Sequence, residues 1–300
     1  MRFLYLCLLL LTLPVSAVEI TSNDVYGEIY KISQDIQLLK SHFNITQTTK
    51  MPDVQVSLSP RHVWQKTYQI MVKIDTLREI NGLPPLNVAS REPEENTSPL
   101  VVYAQTKRLA TEIDLLKRYF GVKGVSPLPP SFANKTTTDN YKFLNQLSYE
   151  MDLITGTSFN TQQVFAEAMR IHDDISFILE KFELQDKTMP PLLNSDASIL
   201  QTFRAIQTLL KEIQRIQTRL GLDKIQNSDY IYDAKSASHI TETELFGSLG
   251  IILAELQPIK ARLGLTHLVT PVAKRYKDKN TADILKIVQW NINRLKSVAF

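Results

Sequence analysis

Apolar positions recur along this chain in a single spacing. From Val25-Tyr26 they continue at Ile29, Ile32, Ile36, Leu39 and Phe43. Steps of three and four place these side chains in one stripe on one face of an α-helix. The pattern restarts 38 residues later at Val63-Trp64, with Thr67, Ile70, Ile74 and Leu77 at matching offsets. A third copy runs from Val102-Tyr103 through Leu109, Ile113 and Leu116 to Phe120, and a fourth uses Tyr141, Leu144, Leu147, Met151 and Ile154. Four more follow: Val164-Phe165 to Phe182, Phe203 to Leu220, Leu245-Phe246 to Leu263, and Ile284-Leu285 to Leu295. An all-α chain with eight amphipathic helices is expected.

Local signals agree with these limits. Asp24, Asp139 and Asp283 stand just before the apolar face begins, where a carboxylate can cap free N–H groups and meet the positive helix end. Gly82, Gly121, Gly221 and Gly264 each follow a last turn and precede an apolar residue, the pattern of a Schellman stop. Prolines gather in the connections, at Pro84-Pro85, Pro127, Pro129-Pro130 and Pro190-Pro191. Pro258 falls inside the seventh helix, where it removes one hydrogen bond and is expected to bend it.

The helices also repeat in groups. The first and fifth are 139 residues apart, as are the second and sixth; the third and seventh differ by 143. Val25, Tyr26, Glu28, Ile32, Asp35, Ile36 and Phe43 match Val164, Phe165, Glu167, Ile171, Asp174, Ile175 and Phe182 in this register. The expectation is two tandem, internally duplicated four-helix bundle units with long Pro-rich or polar connections, covering 18–157 and 158–300. Connections of about fifteen residues exceed the usual bundle loop of two to eight. They are long enough to travel back along a helix of about 30 Å, which permits parallel neighbours. The Tyr230-Ile231-Tyr232 segment, in the longest connection, reads as a packed insert.

Residues 1–17 stand apart. A basic start at Arg2, an apolar run from Phe3 to Leu13 and Val15-Ser16-Ala17 give the layout of a secretory signal peptide, with an uncleaved anchor as the alternative. Cleavage after Ala17 removes Cys7, the one cysteine, and with it any disulfide or Cys-ligated metal. The expected location is periplasmic or secreted, with no membrane span after cleavage. A net charge of +3 gives no basic footprint for nucleic acid. Three Asn-X-Ser/Thr sequons, at Asn44, Asn96 and Asn134, matter only in a glycosylating cell.

Candidate chemistry is sparse. There is no phosphate loop, no Gly-X-Ser-X-Gly elbow and no His-Glu-X-X-His pair, and none of His42, His62, His172, His239 and His267 has a second histidine one turn away. No cofactor or metal is expected. His172-Asp173-Asp174 is the densest polar cluster, with His172 at the edge of the apolar stripe and Asp174 expected to face away. The recurring aromatic position is the most specific signal: Tyr26, Trp64, Tyr103, Tyr141, Phe165, Phe203 and Phe246. Core packing near a bundle end explains it; the alternative is convergence into a pocket, since Tyr and Trp carry a polar handle. Glu28 and Glu167 sit one turn later in equivalent places, as helix-dipole partners or as groups facing a cationic ligand. Lys274-Arg275-Tyr276-Lys277-Asp278-Lys279 reads as a solvated loop.

These features point to an exported, non-enzymatic helical-bundle protein of the envelope that binds a small ligand or a protein partner. A structural envelope role is the alternative, and an enzyme using loop residues such as His239 or His267 is the third reading. In architecture alone, such paired helical modules resemble the extracytoplasmic sensing domains of bacterial receptors.

Overall fold

A computed structural model describes residues 19–49, 56–86, 97–184, 186–192, 196–226, 240–271 and 273–298. The expected signal segment with Cys7, Asn96, the Tyr230-Ile231-Tyr232 segment and His239 lie outside them. The described residues form eight α-helices and no strand: α1 (Ser22–His42), α2 (Pro60–Ile80), α3 (Pro99–Tyr119), α4 (Thr137–Thr155), α5 (Thr161–Lys181), α6 (Ile199–Arg219), α7 (Glu242–Arg262) and α8 (Thr281–Lys296).

Each helix starts on a Ser, Thr or Asn in extended conformation, whose side-chain oxygen suits it to the free N–H groups of the first turn. Asp24, Asp139 and Asp283 are not the caps themselves. They stand three residues inside, and their carboxylates accept the backbone N–H of Thr21 (2.8 Å), Thr136 (2.8 Å) and Asn280 (3.1 Å), which closes a capping box. Six helices end in the expected six-to-one hydrogen bond, from Leu83 N–H to Arg78 O (2.9 Å) and Leu265 N–H to Lys260 O (2.8 Å), for example. Asn44 (φ 56°) and Glu183 (φ 55°) hold the left-handed position that glycine takes at four of these ends. Pro258 is accommodated inside a continuous α7.

Helices α1 and α2 each pack against α3 and α4, and α5 and α6 each pack against α7 and α8. Polar contacts give the directions. Along α1 and α3, Glu28 meets Lys107 and Asp35 meets Lys117; along α1 and α4, Ser22 meets Asn140 and Lys40 meets Glu150. Lys66 reaches Asn145 and Lys73 reaches Asp152 between α2 and α4. Residue numbers rise together in every case, so these neighbours are parallel. His172–Asn291 with Ser176–Arg294, and Gln217–Glu255 with Leu220–Arg262, show the same for α5–α8 and α6–α7. One extended contact joins the two sets, between α2 and α7. There Arg61 meets Glu255 while Lys73 meets Thr243, so this pair is antiparallel.

The connections explain the directions. After α3 the chain runs back down α1: Gly124 lies by Leu38, Ser126 donates to Asp35, Pro129 packs at Gly27, Phe132 meets Tyr30 and Tyr26, and Lys135 N–H reaches Asn23. The corresponding segment after α7 returns along α5, with Thr270 on Asp174, Pro271 on Arg170 and Tyr276 on Phe165. A connection of helix length restores the chain to the starting end, and the next helix repeats the direction. Residues 156–160 are too few to do this, so α5 reverses against α4.

The stripe residues form the core; Ile29, Ile32, Ile36, Leu39 and their counterparts Ile171, Ile175 and Ile178 are wholly buried. Helix α7 is apolar nearly all round, with Leu245, Leu249, Ile251, Ile252 and Leu253 inside, because it packs against α5, α6 and α2 together.

Candidate functional site

Two features mark the place where the two sets of helices meet. The first is a buried polar seam. Helix spacing brings His62, Lys66, Gln69 and Lys73 to one side of α2, facing α7 and the flank of α4. His62 Nε2 and Arg61 both hold Glu255, at 3.0 and 2.6 Å. Gln69 donates to Thr243 O (3.4 Å), and Lys73 pairs with Asp152 while donating to Ser148 O (2.9 Å). Tyr149 donates to Glu244, and Lys66 to Asn145 Oδ1 (2.9 Å) with its ammonium 5.0 Å from the Tyr141 ring centre.

Burial sets the electrostatics of this seam. It brings the Lys66 amine down to about 7, helped by the like charge of Lys73, and the Lys73 amine to about 8 against the pull of Asp152. Burial raises the Asp152 carboxyl and, with the Glu244 charge beside it, the Tyr149 hydroxyl. Glu255 goes the other way. Burial pushes its carboxyl up, but hydrogen bonds and charge from His62 and Arg61 outweigh this and bring it to about 2.

The second feature is a cleft of about 750 Å³ beside the seam. One wall is the C-terminal half of α2, with Tyr68, Val72, Asp75 and Glu79; the other is the first turns of α5 and residues 273–278. Phe246 of α7 reaches it from below, stacked on Phe159 at 4.1 Å. Gln163 bridges to Thr76 (2.8 Å) and Arg275 to Glu79 (3.1 Å), tying the two walls. Asp75 accepts Leu86 N–H through one oxygen.

The recurring aromatics distribute as follows. Because α1 to α4 are parallel, Tyr26, Trp64, Tyr103 and Tyr141 share one end of their set, and Phe165, Phe203 and Phe246 share an end of theirs; across the α2–α7 contact, Tyr141 and Phe246 line one small cavity with His62 and Lys66. Tyr26 is half-buried between Phe132 (4.9 Å) and Phe143 (5.1 Å), with Lys135 over its ring. Trp64 is buried and stacked on Tyr68. Tyr103 carries Lys107 over its ring, and Phe203 is wholly enclosed. Phe165 meets Tyr276 edge-on at 4.9 Å. Of the seven, Phe246 lines the cleft, while Trp64 and Phe165 stand behind its lining residues Tyr68 and Tyr276.

Glu28 and Glu167 are buried rather than exposed, engaged by Lys107 (2.7 Å) and Arg170 (2.9 Å). Asp174 does not face away from the core: it is fully buried and holds Lys260 at 2.8 Å. His172 bonds Asn291 (2.8 Å) and rests on Trp290, and burial beside Arg294 lowers its pKa. Sequence reasoning passed over the cleft residues Asp75, Glu79 and Tyr276 and the buried Lys66 and Lys73. The available signal was α2 itself, whose polar residues sit at core spacing, and the 274–279 run with a tyrosine in its middle.

Among the described residues no three His, Cys, Asp or Glu side chains gather as a metal-ion set. No described helix is long and apolar enough to cross a membrane. No family model matches the chain, and neither a curated protein nor a solved structure is similar to it.

Proposed function

We propose that this is an exported, non-enzymatic binding protein of the cell envelope, whose ligand enters the cleft between two duplicated four-helix units. The cleft carries the reading. Its volume lies within the range of small-molecule sites, about 300–1,000 Å³, and its lining mixes aromatic floor with a few polar groups. Duplication has physical support beyond the periodicity. Asp35, Lys117 and Ser126 form one buried cluster, and Asp174, Lys260 and Thr270 form another at offsets of 139, 143 and 144. Arg78–Glu112 and Gln217–Glu255 are likewise equivalent pairs. A duplicated unit gives such a protein its cleft directly, since two copies docked side by side leave a groove at their seam.

Ligand binding is tested by thermal melts of the mature chain against panels of metabolites, lipids and peptides. A binder stabilises the native state in proportion to ligand excess over Kd, so at least one upward shift is expected. Ala166→Phe, which fills the α5 wall, should remove that shift. A flat response across the panels refutes the reading.

A further inference from the structure

The two walls of the cleft differ in sign. The α2 wall presents Asp75 and Glu79 in the last turns of a helix whose macrodipole is negative at that end. The opposite wall presents the N-terminal turns of α5, positive by the same rule, together with Lys274, Arg275 and Lys277. This follows from the fold, because the antiparallel docking of two parallel sets places helix C-termini of the first beside helix N-termini of the second. Arg275 is committed to Glu79. Lys274 and Lys277 are exposed and enter no ion pair among the described residues, while Asp75 keeps one carboxylate oxygen beyond its bond to Leu86. Asp278 is the one acid on the basic side.

Resting on the cleft as the binding site, we infer that its ligand is a short peptide with free termini. A molecule with an ammonium at one end, a carboxylate at the other and an apolar body between matches an acidic wall, a basic wall and the aromatic lining of Tyr68, Phe246 and Tyr276. The ammonium lies toward Asp75 and the carboxylate toward Lys274 and Lys277. Gln162, on the α5 wall, has a side-chain amide suited to the peptide groups in between. A single amino acid fills little of about 750 Å³; a peptide uses both the length and the charge separation.

The test is fluorescence titration, with Trp64 reporting through its stacking on Tyr68, confirmed by calorimetry. Probes are a mixture of tetrapeptides rich in apolar side chains, the same mixture N-acetylated and C-amidated, and laurate. Free-ended peptides are expected to bind; blocking both ends should weaken binding at least tenfold, and so should Lys274→Glu with Lys277→Glu on the exposed loop. Blocked peptides binding as well as free ones would overturn the proposal. If only laurate binds and Ala166→Phe abolishes it, the peptide assignment falls while the cleft remains a binding site. If no probe binds and panel melts are also flat, both fall.

Discussion

Replacing Lys66 by Met should change how the stability of this protein depends on pH. Lys66 is wholly enclosed between α2 and α4, with Asn145 Oδ1 at 2.9 Å. Lys73 faces it from its own helix, Tyr141 and Asp152 from α4, and Glu244 from α7. The unfolded chain keeps the Lys66 proton up to about pH 10.5, whereas in the folded chain it leaves near 7. Between these values the folded state binds fewer protons, so stability rises with pH. At about 1.4 kcal/mol per pH unit, the rise from pH 7 to 9.5 has an upper bound of ~3 kcal/mol. Relaxation around a buried charge reduces this, and ~1–2 kcal/mol is expected. In Lys66→Met neither state titrates here, so the rise is shallower by about that amount. At pH 7 the variant should be at least as stable as the parent, since removing a disfavoured amine offsets one lost hydrogen bond of about 1 kcal/mol. Urea unfolding followed by circular dichroism at pH 7 and 9.5 measures both quantities. Parallel pH curves for the two proteins would refute the reasoning.

Three further outcomes are expected. Glu255→Gln removes the carboxylate held by Arg61 and His62 and should cost about 3 kcal/mol at pH 7; because the folded carboxyl sits near 2, the parent loses this advantage as pH falls from about 4.5 to 2, and the two urea midpoints should converge there. Glu183→Gly relieves a left-handed residue with a side chain and should stabilise by about 1 kcal/mol, read as a higher urea midpoint with unchanged slope. If the two halves are copies, double-mutant cycles on Asp35/Lys117 and Asp174/Lys260 should give coupling energies of the same sign and similar size; a coupling in one half alone would count against duplication.

The helices were legible because each carries its own periodicity and four carry their own glycine stop, as Leu109 to Phe120 followed by Gly121 illustrates. Packing directions were open in the sequence. Connections of helix length allow parallel or antiparallel neighbours, and only contacts such as Lys40–Glu150 decide. The polar seam was hidden for a different reason. Gln65, Lys66, Gln69 and Lys73 lie off the apolar stripe, and one helix pattern cannot say that a second set of helices will cover that face. Asp174 misled in the same way: its partner Lys260 is 86 residues away. The cleft belongs to neither half, so no single stretch announces it. The α7 run Leu249–Leu253 adds a further hint to those in α2 and the 274–279 run, being apolar on more sides than a two-neighbour helix needs.

The returning connections also constrain how the protein is made. In each set, no helix has its sequence neighbour on an antiparallel flank ready to receive its apolar stripe, and α1 closes its contacts only with α3 and α4, as in the 110-residue span from Lys40 to Glu150. Contacts this distant in sequence make folding slow, since chain entropy is lost before they form. A chain emerging from its N-terminus therefore carries the unpaired apolar stripes of α1 and α2 until α3 is free. Such a protein gains its stability by whole sets of helices rather than one helix at a time.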